Sequence, residues 1–193
     1  GAVGPASEPN QNSTLGSAIQ LREAGKFKQA IELLENLEKR CPKNINLLTL
    51  LSHCFLLDGQ LETAKLYFDK ANKIAPNIAA VGWNASRIAL REKKLSKALN
   101  IARFTNQRFP DDVEGMGVLG ACLRATGDIS ESITVLNQTI ALNPKNAEAL
   151  INRGLIRLNQ AKKTEALNDL EQAHRLKPHI KEIWDLVIGL KMQ

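Results

Sequence analysis

The sequence predicts an all-α fold built from repeated helix-turn-helix units. Five prolines follow one another at intervals of 34 residues, the length of two short antiparallel helices with their turns. When each proline is counted as position 32 of a repeat, positions 8 and 20 hold only Ala, Ser or Gly in all five repeats. Two helices can cross closely only where both side chains are small, so the second pattern supports the first. The prolines are Pro42, Pro76, Pro110, Pro144 and Pro178.

This frame divides most of the chain into repeats without a gap. The repeats occupy residues 11–44, 45–78, 79–112, 113–146 and 147–180. Within them, position 15 carries Gly25, Gly59 and Gly127, which marks the turn between the two helices because glycine tolerates a positive φ. Each proline closes the second helix, since it cannot donate the next backbone hydrogen bond.

The two ends of the chain fall outside the repeats. Residues 1–10 are rich in Gly, Pro and Ser, and we expect them to be a flexible leader. Residues 181–193 predict a capping helix, because a terminal repeat needs cover for its apolar outer face. We expect Trp184 to be buried on this cap. The alternative is a divergent first helix of a longer array. The expected apolar face consists of Ile180, Ile183, Trp184, Val187 and Ile188.

The repeat resembles the tetratricopeptide repeat (TPR), whose pattern runs W-x2-L-G-x2-Y, then A-x3-F, then P. The resemblance covers residues 11–178 and implies a right-handed α-solenoid of five TPR helix-turn-helix repeats with a C-terminal capping helix. Gly82 in the third repeat, and Arg153 and Arg157 in the fifth, replace large apolar residues of the pattern, which we expect to weaken local packing. The second repeat matches best, through Leu48, Leu51, Ser52, Phe55, Gly59, Ala64, Phe68, Ala71 and Pro76.

Composition and motifs give no sign of catalysis. Cys41, Cys54 and Cys122 are too far apart in sequence to signal a zinc site or a disulfide framework, so we predict a reducing, cytoplasmic location with no metal. Residues 115–120 spell G-x-G-x-x-G, but no strand is predicted before them, and Gly120 is explained by the helix crossing. No set of Ser, His and Asp residues converges. We therefore expect a protein that is not an enzyme and binds no cofactor or small-molecule substrate.

The resemblance also implies a concave groove, lined by positions 2, 5, 6, 9 and 12 of each first helix; we call these the groove positions. We expect Trp83 to lie partly exposed there, beside Arg87, as an aromatic and cationic anchor for an acidic or mixed segment. The alternative is that Trp83 is the usual core Trp of the family, shifted by one position, but that shift would put Arg87 at the close helix crossing. The predicted partner-binding residues are Asn46, Thr49, His53, Trp83, Asn84, Arg87, Arg124 and Asn152, and further groove positions hold Glu114, Glu148 and Ile151.

The sequence predicts a non-catalytic scaffold that binds a protein or peptide segment in this groove. The alternative is an N-terminal regulatory or substrate-recruiting array of a larger bacterial-type transferase for glycosyl, sulfo or methyl groups. RNA binding through the basic third repeat is disfavoured despite a net charge of +6, because the eight aromatic residues form no stripe interleaved with basic ones. No apolar run reaches the roughly 18 residues of a membrane helix, so we expect no membrane insertion. Self-association through the ends of the array stays open.

Overall fold

The computed structural model describes residues 10–193, which form eleven α-helices and contain no β-strand. Two helices fall within each predicted repeat, and one follows the last, as the sequence predicts. The expected flexible leader falls almost entirely on residues 1–9, outside the described part of the chain. The helices are α1 (Gln11–Glu23), α2 (Phe27–Glu38), α3 (Ile45–Leu57), α4 (Leu61–Ile74), α5 (Ala79–Arg91), α6 (Leu95–Arg108), α7 (Val113–Thr126), α8 (Ile129–Leu142), α9 (Ala147–Asn159), α10 (Lys163–Leu176) and α11 (Lys181–Lys191).

The chain divides into two compact bodies, Gly1–Ala75 and Pro76–Gln193. In the N-terminal body, α1 pairs with α2 and α3 pairs with α4, and α2 packs against α3. In the C-terminal body, α5 pairs with α6, α7 with α8 and α9 with α10, while α11 packs on α10. Consecutive first helices also touch within each body, α1 with α3, α5 with α7 and α7 with α9. Their groove positions therefore adjoin one another.

Every helical hairpin closes through the small residues at positions 8 and 20, all ten of which are buried. In three repeats a serine hydroxyl reinforces the contact by donating to a backbone carbonyl of the partner helix. Ser52 donates to the Ala64 oxygen over 2.8 Å, and Ser86 to the Ala98 oxygen over 2.9 Å. In the fourth repeat the direction reverses, and Ser132 donates to the Gly120 oxygen over 2.7 Å. The predicted close crossing is confirmed.

Asn10 caps α1, and polar caps at one shared repeat position begin three further first helices. The side chains of Asn44, Asp112 and Asn146 accept hydrogen bonds from backbone N–H groups in the first turns of α3, α7 and α9. These residues stand at the last position of their repeats, two residues after the proline. An N-cap of this kind stabilises a helix by about 1 kcal/mol, because it satisfies a backbone donor that the helix itself leaves free. The proline and the cap together place the end of one repeat and the start of the next.

The fifth repeat replaces an apolar contact with a buried ion network. Asp169 on α10 is fully buried and binds the Arg153 guanidinium through both carboxylate oxygens, at 2.9 and 2.8 Å. Arg157 donates a third bond to the same carboxylate, at 2.9 Å. The two arginines that depart from the apolar pattern are thus held by an acid on the partner helix. Removing one member of such a network costs about 3–5 kcal/mol, because it leaves a buried charge without a partner.

Helix α11 covers the end of the fifth repeat with a face that differs from the predicted one. Ile183, Val187 and Leu190 are buried in a cluster with residues of α9 and α10. Trp184 is 42% exposed and Ile188 is 38% exposed, so the expectation that Trp184 is buried is wrong. Leu190, which the predicted face did not include, is buried with Ile183 and Val187 instead. The Trp184 ring stacks instead on His174 of α10, with 4.4 Å between ring centroids.

The turn between the two helices adopts the left-handed conformation at position 15 in all five repeats. The predicted glycines have φ values of 77°, 80° and 87° at Gly25, Gly59 and Gly127. Lys93 and Ala161 occupy the equivalent positions with φ values of 64° and 59°. A side chain with a Cβ is strained in this region, whereas glycine is not. The third and fifth repeats therefore contain turns that glycine fits better.

We predict that Ala161→Gly raises the free energy of unfolding by about 1 kcal/mol, because it relieves the left-handed strain at small entropic cost. Gly127→Ala is the matched control and has the opposite sign. A Cβ at Gly127 meets no atom within 4 Å, so its cost arises from the backbone alone. Urea unfolding of both variants measures the effect, and two changes of the same sign would contradict it.

Candidate functional site

In the N-terminal body, the predicted binding residues lie on α3 and differ in exposure. Asn46 is exposed, whereas Thr49 is buried and its hydroxyl donates to the backbone oxygens of Ile45 and Asn46. His53 is half-buried, and its Nδ1 lies 3.3 Å from the Arg22 Nη1 of α1. The structure therefore gives Thr49 a helix-internal role and makes His53 part of the contact between α1 and α3.

In the C-terminal body, Asn84 and Arg87 join α5 to α7. The Arg87 guanidinium donates to the Asn84 side-chain oxygen at 3.2 Å and to a Glu114 carboxylate oxygen at 2.9 Å. Asn84 is buried, Arg87 is half-buried and Glu114 is exposed. The positive charge of Arg87 is thus neutralised within the protein, and little of it remains to attract an acidic segment.

Arg124 and Asn152 form the corresponding contact between α7 and α9. The Arg124 Nε donates to the Asn152 oxygen over 2.8 Å, and the Asn152 amide donates to the backbone oxygen of Glu148 over 2.9 Å. Burial lowers the pKa of the Arg124 guanidinium, which nevertheless stays charged at neutral pH. Asn152 is buried, so the two predicted groove asparagines of this body, Asn84 and Asn152, orient arginines.

The expectation that Trp83 lies partly exposed in the groove is wrong. The side chain is only 2% exposed, and its Nε1–H donates to Asp112 Oδ2 over 2.9 Å. The indole occupies the space above Gly115 of α7, where an added Cβ would lie 1.8 Å from the Trp83 Cζ2 atom. Thr105 fills the corresponding space beside Gly82. Trp83 is therefore a core residue at the contact between two repeats, and Arg87 does not form the expected anchor with it.

The sequence interpretation missed the groove positions of α11. Leu158 of α9 and Leu186 of α11 line an open depression of about 610 Å³, together with Glu182, Asp185, Gly189, Leu190 and Gln193. Glu182, Asp185, Leu186 and Gly189 stand at positions 2, 5, 6 and 9 of a sixth first helix. The signal was present in the sequence, because Glu114, Glu148 and Glu182 follow one another at intervals of 34 residues. Helix α11 thus continues the groove positions of α9 and covers the fifth repeat.

The buried cysteines have the character of core residues. Burial raises the pKa of the Cys54 thiol and of the Cys122 thiol to about 11 in each case. Both remain protonated at neutral pH, whereas a nucleophilic cysteine reacts as the thiolate. The Cys122 Sγ lies 3.2 Å from the Ser86 Oγ, beside the helix crossing of the third repeat. Cys54 and Cys122 are therefore small residues of the core.

Membrane-spanning helices and metal-binding clusters are both absent from residues 10–193. None of the helices there combines the length and the apolar character that crossing a membrane requires. No group of three or more His, Cys, Asp and Glu side chains in this part of the chain is arranged to hold a metal ion.

Comparison with known proteins assigns the repeats to a family. The tetratricopeptide repeat pattern matches residues 21–82, and a second pattern, described as TPR repeat, matches residues 120–160. The two matches together span more than half of the chain. The chain belongs to the tetratricopeptide repeat family, and this assignment supports a general role as a protein-interaction scaffold. No curated protein sequence matches it.

Solved structures show the same fold. A tetratricopeptide repeat protein from Parabacteroides merdae has 16% identity and a TM-score of 0.76, over 95% of this chain and 72% of its own. A thermophilic TPR protein of Thermus thermophilus has 18% identity and a TM-score of 0.77, over 95% of this chain and 100% of its own. YrrB, a TPR protein with an unusual peptide-binding site, has 15% identity and a TM-score of 0.53, over 93% of each chain. The α-solenoid of helix-turn-helix repeats is confirmed.

We predict that the two tryptophans differ in quenching because of their burial. The Trp184→Phe variant leaves only the buried Trp83, whose emission should be blue-shifted and several-fold less sensitive to acrylamide. The Trp83→Phe variant leaves the exposed Trp184, which should be quenched readily. In guanidinium the two variants should become equally sensitive. Equal quenching of both folded variants would contradict the placement of the two side chains.

Proposed function

We propose that this chain is a non-catalytic protein-interaction module. In this role, the groove positions of the C-terminal body bind a segment of a partner protein. Membership of the tetratricopeptide repeat family supports an interaction role in general, and YrrB, which shares the fold, is described as having a peptide-binding site. The buried, protonated cysteines favour binding over covalent chemistry.

One observation carries the proposal. The groove positions of α9 and α11 hold apolar side chains that are only half-buried, although the helix faces on either side are packed. They are Ile151, Leu155, Leu158 and Leu186. A partner that removes half-buried aliphatic side chains from water gains binding free energy, at roughly 25 cal/mol per Å² of apolar area. An open depression beside these side chains gives the partner access to them. This strip offers an apolar floor on which a segment can lie.

We predict that Ala121→Arg weakens the binding of partner segments by at least about tenfold, because it places a long charged side chain at a central groove position of α7. Segments of about 15 residues are first selected from a random displayed library against the unaltered protein. Their affinities for the variants are then measured by fluorescence anisotropy, and circular dichroism confirms that each variant is folded.

Gln138→Arg is the matched control, because it adds the same charge at an exposed position of α8, a second helix. The control should bind the selected segments as the unaltered protein does. Selected segments that tolerate Ala121→Arg, or that lose affinity equally with Gln138→Arg, would show that binding does not use the groove positions.

A further inference from the structure

The groove positions of α9 and α11 carry acidic side chains and no basic ones. These ten positions hold Glu148, Ile151, Asn152, Leu155 and Leu158 on α9, and Glu182, Asp185, Leu186 and Gly189 on α11 with Met192 at its C-cap. The three carboxylates are exposed. Among residues 10–193, no ion pair engages any of the three. This end of the groove therefore presents negative charge that no ion pair of the described residues neutralises.

The basic side chains of α9 point to the opposite side of the helix. Arg153 and Arg157 are bound to the buried Asp169 of α10. On α11, Lys191 pairs with Glu171 of α10 at 2.7 Å, and Lys181 is exposed at the first position of the helix. Three of these four cations are thus held by acids on α10. The fold separates the two signs of charge, with the cations against the second helix and the carboxylates along the groove.

Favourable interaction with helix N-termini explains the positions of only two of the three carboxylates. Glu148 and Glu182 lie in the first turns of α9 and α11, where a carboxylate interacts favourably with the helix dipole. Asp185 lies one turn further along α11 and gains little from that interaction. It borders the apolar depression together with Glu182, beside Leu158, Leu186 and Gly189. No atom lies within 4 Å of a Cβ built on Gly189, so the space above this part of α11 is open.

We propose that this end of the groove recognises a basic segment of a partner protein, with its Lys or Arg side chains paired to Glu148, Glu182 and Asp185. An apolar side chain of the same segment enters the depression between α9 and α11. The inference rests on the proposed function and adds the chemistry of the partner. It replaces the expectation of an acidic or mixed segment, because Arg87 is already paired and the three carboxylates repel acidic chains and phosphate backbones.

The test compares two pools of synthetic 15-residue peptides with the same Leu, Ile and Phe positions. In one pool the remaining positions are Lys or Arg, and in the other they are Glu or Asp. The basic pool should bind the unaltered protein at least about tenfold more tightly at low ionic strength, and its affinity should fall as salt screens the exposed charges. Tighter binding of the acidic pool, or equal binding of the two, would overturn the proposal.

Charge-matched variants locate the effect. The triple variant Glu148→Gln, Glu182→Gln and Asp185→Asn should lose most of the preference for the basic pool. The control variant Glu32→Gln, Glu62→Gln and Asp69→Asn changes the net charge equally on exposed positions of α2 and α4, and it should keep the preference. The proposal would be overturned if the triple variant kept its preference for the basic pool, or if the control variant lost that preference to the same extent. If the proposal is overturned but Ala121→Arg still weakens the binding of the library-selected segments, the proposed function stands. Only the inferred charge of the partner segment is then wrong.

Discussion

The close approach of two helices at one pair of small residues determines how each repeat is built. The pair lies twelve residues apart in sequence, and in three repeats a serine hydroxyl crosses from one helix to a carbonyl of the other. A larger residue has no room there, since a Cβ on Gly120 would already lie 2.5 Å from the Leu136 side chain. Once this contact is fixed, the rotation of each first helix is fixed as well. The groove positions then face away from the hairpin, and the remaining apolar positions face its partner helix.

This constraint also gives meaning to the residues that depart from the repeat pattern. Arg153 and Arg157 face the second helix because the crossing at Gly154 sets the rotation of α9, and Asp169 meets them there. The same rotation turns Glu148 toward the groove. The ion network inside the fifth hairpin and the acidic side chains in the groove therefore both follow from the orientation of α9. The joints between first helices follow a similar logic, since Arg87 and Arg124 bind polar partners on the next first helix and hold the groove faces together.

The sequence predicts the fold well because the fold depends on a local, repeated requirement. Proline spacing, small residues at the crossing and the turn glycines each report on contacts within one hairpin. The environments of the two tryptophans could not be predicted in this way. Trp83 is buried because Gly115, in the next repeat, leaves room for its ring. Trp184 is exposed because the buried face of α11 runs through Ile183, Val187 and Leu190. The first outcome depends on the size of a residue in another helix, and the second depends on which face of α11 packs on α9 and α10. A helical periodicity contains neither. The acidic groove positions of α11 were readable from the 34-residue spacing of Glu114, Glu148 and Glu182, once α11 is counted as a first helix.

The most direct test of this account is the stability of Ala98→Leu, which enlarges the crossing of the third repeat. Urea unfolding in a Trp184→Phe background lets the buried Trp83 report on α5 and on its contact with α7. We expect Ala98→Leu to lower the free energy of unfolding by about 2 kcal/mol or more, because an overpacked crossing forces the helices apart. Ala141→Leu, at an exposed position of α8, should change it by less than about 0.5 kcal/mol. If Ala98→Leu is tolerated as well as Ala141→Leu, the close crossing is not the contact on which the repeat depends.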